Sequence, residues 1–325
     1  MLFFPYRAEL EHWRLPLVTL LICALSAIVL ANQYNQKSAL EWRAVQSCYL
    51  TPDRELATAL QYLANRTGML PERMCKDMLI STHLASDADA MLEQWAYLSN
   101  RPLTAGDSQQ RDYIHTVLQR VYADFRIDAP LPLTENLWFE PSPQQLSPLK
   151  MLSSIFAHGD VMHLLANLFF FFAFAATVEL IIGSLSMLAT VVLLALLTNS
   201  FYAALSILEG VAVPTLGLSG VVFGMMGMFA CFVPRARVRC FAWLLLFYRR
   251  PAVPAWLLVA GYVLWNLYSW LLAGGNTQVN FIVHISGALF GYLIALTVFR
   301  ASMQQYSTTV TVRNSRRYLS AFINQ

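Results

Sequence analysis

Apolar and polar positions along this chain are sorted into long blocks. Six blocks are almost wholly apolar: 15–31, 161–182, 185–207, 216–233, 252–273 and 279–299. Each is long enough, or nearly so, to cross a hydrocarbon core ~30 Å thick as an α-helix. In lipid a helix satisfies its own backbone polar groups, so the blocks predict a bundle of six transmembrane helices. The stretch 32–150 is too polar for a membrane and too long for a bare connection, and predicts a small helical domain. Within it, Tyr113, Ile114, Val117, Leu118, Val121 and Tyr122 fall at helical spacing. Thr51-Pro52 resembles an N-cap followed by proline at the first helical position. Pro130, Pro132, Pro141, Pro143 and Pro148 mark an extended return to the membrane. Trp138-Phe139 in that return either anchors at the membrane interface or closes the small domain's core.

Composition agrees with the blocks. The 325 residues are 57% hydrophobic and 13% charged, against about 25% charged in soluble domains. Fourteen of 19 acids lie between 32 and 150, which leaves the other segments nearly free of negative charge. Lys and Arg set the orientation. Arg7 and Arg14 precede the first block, Arg235, Arg237, Arg239, Arg249 and Arg250 follow the fourth, and Arg300, Arg313, Arg316 and Arg317 follow the sixth. The loops 208–215 and 274–278 have no Lys or Arg. Six crossings put all three clusters on one side, so both termini are expected in the cytoplasm and 32–150 outside. A cleaved signal peptide is the competing reading of 15–31, but 29–33 make a poor cleavage site and a retained helix is expected.

Cys48 and Cys75 share the exporting side, where disulfides persist, and are expected to be bonded. Cys23, Cys231 and Cys240 read as packing residues.

Polar residues inside apolar blocks are costly and point to function. The second block opens with His158, Asp160, His163 and Asn167; His163 and Asn167 share a helix face. Asp160 reads as a helix N-terminal charge. The fourth carries Gly217-Leu218-Ser219-Gly220, with Gly224 and Gly227 continuing a small-residue face. The sixth carries His284 with Gly287 and Gly291 below it. Two glycine-lined helices can pack closely, which would bring Ser219 and His284 together. A serine hydroxyl needs a base, and His284 is the candidate. The Ser219 amide, Asn167 and His163 can serve a developing oxyanion. No carboxylate lies near His284 in the spans, so a dyad is expected, with Phe223 stacked on the imidazole. A zinc site of His158, His163 and His284 is conceivable, but the five-residue spacing of the first pair is unlike helical zinc motifs. A transporter would need charged or broken helices in mid-membrane, and none is evident.

These residues resemble the rhomboid family of intramembrane serine proteases. His158-x4-His163-x3-Asn167, Glu179-x3-Gly183, Gly217-Leu218-Ser219-Gly220 and His284-x2-Gly287-x3-Gly291 are similar to the family's motifs. The resemblance implies an all-α, polytopic six-helix bundle of rhomboid type; the helical domain inserted between the first two spans departs from the compact loop of typical members. Its parts would be an N-terminal cytoplasmic segment 1–14, a first span 15–31, the inserted domain and linker 32–150, a catalytic core 151–299 and a basic cytoplasmic tail 300–325. Ser219 would be nucleophile and His284 general base. His163 and Asn167 would line the oxyanion hole. His158, Phe223, Gly217, Gly220, Gly287 and Gly291 would support them. The substrate would be another membrane protein, cut in or beside its transmembrane segment in the lipid bilayer. No metal, cofactor or nucleic acid is implied. The inserted domain would bind substrate or a partner protein. The expected location is a bacterial inner membrane. The rival reading is a proteolytically idle rhomboid-like protein that binds and escorts transmembrane helices.

Overall fold

A computed structural model describes residues 2–8, 15–50, 53–85, 87–98, 107–130, 132–143, 146–210, 213–244, 247–249, 252–273, 279–302 and 304. The chain divides into two compact units, Met1–Leu30 with Leu137–Gln325, and Ala31–Asn136.

The smaller unit is helical. It takes the second part of α1 (Leu17–Val45), a π-helical turn (Gln46–Leu50), α2 (Arg54–Thr67), α3 (Pro71–Leu84), α4 (Ala88–Ala96), α5 (Asp107–Asp128) and the short α6 (Leu133–Leu137). Leu56, Leu60 and Leu63 of α2 meet Met74, Met78 and Leu79 of α3 and Ile114, Leu118 and Phe125 of α5 in one core. Tyr113, expected on the inner face of α5, is exposed, and Phe125 extends that face instead. Cys48 and Cys75 are bonded, which ties the π-helical turn to α3. In the chain-entropy account, closing that loop stabilises by about 3.5 kcal/mol.

Two boundaries differ from the sequence reading. The first helix was expected to end at 31, yet α1 continues to Val45. Residues 32–45 contain no Gly or Pro, so the shift in composition there does not interrupt the helix. The cap of α2 is Asp53, whose carboxylate accepts from Glu55 N (2.8 Å) and Leu56 N (3.2 Å). Thr51 and Pro52 lie outside the described residues.

The larger unit holds the first part of α1, α7 (Pro148–Ser153), α8 (Val161–Ile182), α9 (Ser184–Glu209), α10 (Ser219–Phe232), α11 (Ala255–Ala273) and α12 (Phe281–Thr297). Among the described residues, four helices are long and apolar enough to cross a membrane: Leu17–Tyr49, Val161–Ile182, Ser184–Glu209 and Ala255–Leu272. The other two apolar helices, Ser219–Phe232 and Phe281–Thr297, are shorter, at 14 and 17 residues. Every residue of α10 from Gly220 onward is buried except Phe223, as suits a helix that is apolar all round. Phe171 and Phe174 of α8 and Met187 and Leu194 of α9 pack on it in one cluster.

A small sheet joins strands that the sequence reading left as a basic loop. β1 (Leu2–Ala8) pairs antiparallel with β2 (Arg237–Leu244), with Leu2 opposite Trp243 and Ala8 opposite Val238. β3 (Phe247–Arg249) and β4 (Ala252–Pro254) also pair with β2. Exposed Arg237 and Arg239 alternate with buried Val238 and Cys240, a period of two that reads as a strand.

One carboxylate fastens α1. Glu179, near the end of α8 and 2% exposed, accepts from Val18 N (2.9 Å), Thr19 N (2.8 Å), Thr19 Oγ1 (2.7 Å) and Ser184 Oγ (2.6 Å). The two amides belong to the first turn of α1, where no intrahelical carbonyl is available. Glu179 thus acts as an N-cap supplied from a distant helix, and its charge favours the positive end of the α1 dipole.

Two outcomes are expected. Glu179→Ala leaves two first-turn amides unsatisfied and should cost on the order of 3 kcal/mol. In thermal unfolding in detergent, Glu179→Gln should lose clearly less. In the smaller unit, partial burial raises the pKa of Asp53, but the Leu56 and Glu55 amides and Arg120 outweigh it, and the net is a depressed value. A depressed carboxylate contributes stability above its unfolded pKa of about 3.9 and loses it as pH falls through the native value. Protection factors of the α2 amides should therefore fall below about pH 4. Asp53→Asn should weaken that dependence while keeping the cap.

Candidate active site

The polar residues singled out in the second, fourth and sixth apolar blocks all fall in the larger unit. α8 starts at Val161 because Asp160 caps it, accepting from His163 N at 2.8 Å. That cap fixes the first turn from which His163 projects. Asn167, one turn on, is 6% exposed. Its Nδ2 is buried and donates to no partner, which costs free energy unless the donor meets an acceptor at another stage. His158 precedes the helix and is buried; its Nδ1 donates to Phe156 O at 3.1 Å. Its ring meets that of His163 edge to face, with centroids 5.2 Å apart. Burial, and then the neighbouring His163, push the His158 pKa down to about 4, so it stays neutral near pH 7.

The approach to Ser219 is pinned at several points. Phe139 and Thr215 exchange both backbone hydrogen bonds, at 2.9 and 2.8 Å. Tyr202 Oη donates to Val213 O (2.7 Å), Asn280 Nδ2 to Thr215 Oγ1 (3.2 Å) and Gly217 N to Ser154 O (2.9 Å). Phe139 therefore does not close the small domain's core. It is fully buried in the larger unit with Met151, Tyr202 and Val283.

Gly217 adopts φ +112°, a region L side chains rarely enter. A methyl group there would also lie 2.9 Å from His163 Cε1 and Nε2 and 3.6 Å from Asn167 Nδ2. The loop before the serine thus rests directly on the two polar residues of α8. Ser219 follows as the first residue of α10, half-buried, behind the N-cap Leu218, which contributes no side-chain cap. Its backbone N–H belongs to the first turn, where no intrahelical carbonyl accepts. A small cavity of about 10 Å³ beside it is lined by Ser154, Thr198, Asn199, Thr215 and Val283, among others. That volume is near the minimum for one water.

α12 packs on α10 backbone to backbone. A methyl group on Gly287 would collide with the Gly220 carbonyl oxygen, and one on Gly291 with that of Gly224. This approach sets Phe223, one turn after Ser219, flat against His284: centroids are 4.5 Å apart and the planes 7° from parallel. Among the described residues no hydrogen bond joins Ser219 Oγ to His284, and catalytic bonds commonly tighten only once substrate is bound. His163 and Asn167 lie against the loop before Ser219. His158 stands behind His163. Gly220, Gly287 and Gly291 form the helix contact.

Sequence reasoning missed Asn266. It lies on α11, is 7% exposed, and its Oδ1 is 2.7 Å from His284 Nδ1. The signal was available: an amide inside an apolar block. Asn199 was missed for the same reason; its Nδ2 donates to Met151 O at 2.8 Å and anchors α7. Among the described residues no three His, Cys, Asp or Glu side chains form a metal-binding group. A cavity of about 660 Å³ in the smaller unit, between Tyr49, Leu70, Arg73 and Asp77, has no nucleophile–base pair in its lining.

Apolar helices joined through glycines around a recessed polar site define an integral membrane protein. Residues 145–301 match the family model of the Rhomboid domain. A stretch of 164 residues is 26% identical to "Rhomboid protein 1, mitochondrial" of Saccharomyces cerevisiae, covering 49% of this chain and 44% of that protein. The match thus spans less than half of that relative. Just under half of this chain is thus similar to the Rhomboid domain.

The glycine contact yields a prediction. Gly291→Leu should lower the thermal midpoint in detergent by more than 5 °C, through overpacking of at least about 1–3 kcal/mol. Gly261 has open space where a Cβ would stand. Gly261→Ala should leave the midpoint unchanged or slightly raised, since alanine is the better helix former by about 1 kcal/mol.

Proposed function

We propose that this protein is an intramembrane serine endopeptidase that cleaves transmembrane segments of other membrane proteins. The observation that carries the reading is the α10–α12 contact, which stacks Phe223 on His284 one turn after Ser219. Ser219 Oγ attacks the scissile carbonyl carbon, and His284 Nε2 takes its proton. The oxyanion accepts from the Ser219 amide, the buried Asn167 Nδ2 and the His163 ring. As the C–N bond breaks, His284 returns the proton to the leaving amine. Water then attacks the acyl-enzyme by the same route, with His284 again as base. The role of His158 is to support His163.

The proposed topology has six crossings, with α10 and α12 as the short ones, both termini cytoplasmic and 32–150 on the far side of a bacterial inner membrane. The arginine clusters and the Lys- and Arg-free loops support it. Short helices suit a site that water must reach: α10 at ~1.5 Å per residue is about 21 Å long, against a core of ~30 Å. The smaller unit is proposed to engage substrate or a partner protein.

Fluorophosphonate labelling of the full chain in detergent tests the reading. Wild type should label and Ser219→Ala should not. His284→Ala should slow labelling by at least about 10³-fold and Asn167→Ala by about 10²–10³-fold. Equal labelling of wild type and Ser219→Ala would remove Ser219 from the chemistry. An unlabelled, folded wild type would favour a family member that binds and escorts helices without cutting them.

A further inference from the structure

A base in an apolar bundle has to be held in one tautomer as well as one place. Neutral imidazole carries its proton on either nitrogen, and only the nitrogen without it can accept from serine. His284 has one polar side-chain partner among the described residues, and it comes from α11. Asn266 Oδ1 lies 2.7 Å from His284 Nδ1.

Which end of the amide faces the ring is settled by the other end. Asn266 Nδ2 lies 2.8 Å from the backbone carbonyl oxygen of Tyr262, one turn earlier on α11. A carbonyl oxygen only accepts, so the NH₂ group must face it. The amide oxygen is then left for His284, and it too only accepts. The hydrogen of that bond therefore sits on Nδ1, and the lone pair of the neutral ring sits on Nε2. Phe223 covers one face of the same ring at 4.5 Å, and Phe281 meets it edge-on at 6.4 Å. The imidazole is thus fixed in plane, rotation and tautomer, and among the described residues Nε2 makes no side-chain hydrogen bond.

We propose that Asn266 is the positioning residue of His284. It fixes the Nδ1–H tautomer and completes a Ser219–His284–Asn266 relay in which the third member is a neutral amide. This rests on the reading of Ser219 as nucleophile and His284 as base. No carboxylate takes part in this relay. Asn266 itself touches neither substrate nor the reacting atoms.

The test uses full-length protein in detergent with two readouts. The first is the rate of Ser219 labelling by a fluorophosphonate. Asn266→Leu keeps the approximate size and removes the acceptor. It should slow labelling on the order of 10²-fold, less than the ~10⁴-fold known for losing the tautomer-setting carboxylate of a serine-protease triad. Asn266→Asp, which restores an acceptor at the same place, should recover labelling to within about tenfold of wild type, with a displaced pH–rate profile. The second readout is ¹⁵N NMR of histidine-labelled protein, with the His284 signals assigned by their loss in His284→Ala. Wild type should show a protonated Nδ1 and an unprotonated Nε2, and Asn266→Leu a mixture of tautomers. Thermal midpoints report whether each variant is folded. Asn266→Leu labelling within threefold of wild type, or an unchanged His284 tautomer in that variant, would overturn the proposal. A folded wild type that fails to label but still shows the Nδ1–H signal, lost in Asn266→Leu, would sink the protease reading and leave the positioning bond standing.

Discussion

The site depends on two helices touching at their backbones. α10 and α12 approach so closely that Gly287 and Gly291 cannot carry a β-carbon without striking the carbonyls of Gly220 and Gly224. In lipid there is no hydrophobic drive to hold helices together, so close van der Waals contact has to do it, and only small residues permit that. The same contact sets the relation between the serine helix and the histidine helix. Phe223 could not lie parallel to His284 at 4.5 Å if a side chain held the two axes apart. Stability and the proposed chemistry thus rest on one seam, and a change made for either is felt by both.

Around that seam several buried polar groups have a specific task. Glu179 caps α1, Asn199 anchors α7, Tyr202 holds Val213, and Asn266 faces His284. A polar group taken out of water without a partner costs roughly 2–7 kcal/mol, so in an apolar bundle partners are close to obligatory. Asn167 Nδ2 is one of the buried side-chain atoms that lack such a partner. It is buried, aimed at the loop before Ser219, and unmatched. In the proposed mechanism such a donor meets an acceptor that exists only during reaction, and it is already in place when the charge forms.

Much of this was legible in the sequence, for a definite reason. In an apolar block each polar or glycine position is an exception, so His163, Asn167, Ser219 and His284 were visible by contrast, and Gly287 and Gly291 by spacing. Asn266 met the same criterion, yet it sits on a helix with no motif around it and only its distance to His284 gives it meaning. The end of α1 was not legible, because helix propensity runs on through the change from apolar to polar at residue 32. The sheet was overlooked because Arg237 and Arg239 read as markers of orientation. Their alternation with Val238 and Cys240 carried the strand signal. The start of α10 at Ser219 could not be placed from hydropathy, since 216–218 are as apolar as the helix itself. It is set by the conformation of Gly217.

The choice of an amide to hold His284 follows from where the ring sits. A carboxylate at that place would be a buried charge throughout the resting state, balanced only while the imidazole carries the proton. The desolvation cost of such a charge is several kcal/mol. Asn266 gives the directional part of the interaction, an acceptor at 2.7 Å whose orientation is locked by the Tyr262 carbonyl, without that cost. In the proposed mechanism the consequence is a base whose geometry is fixed but whose imidazolium form receives no full counter-charge. In that mechanism, stabilisation of the charge pair comes from the other side of the reaction, from the oxyanion donors. This makes the unmatched Asn167 amide and the first-turn amide of α10 the necessary counterpart of a neutral residue beside the histidine.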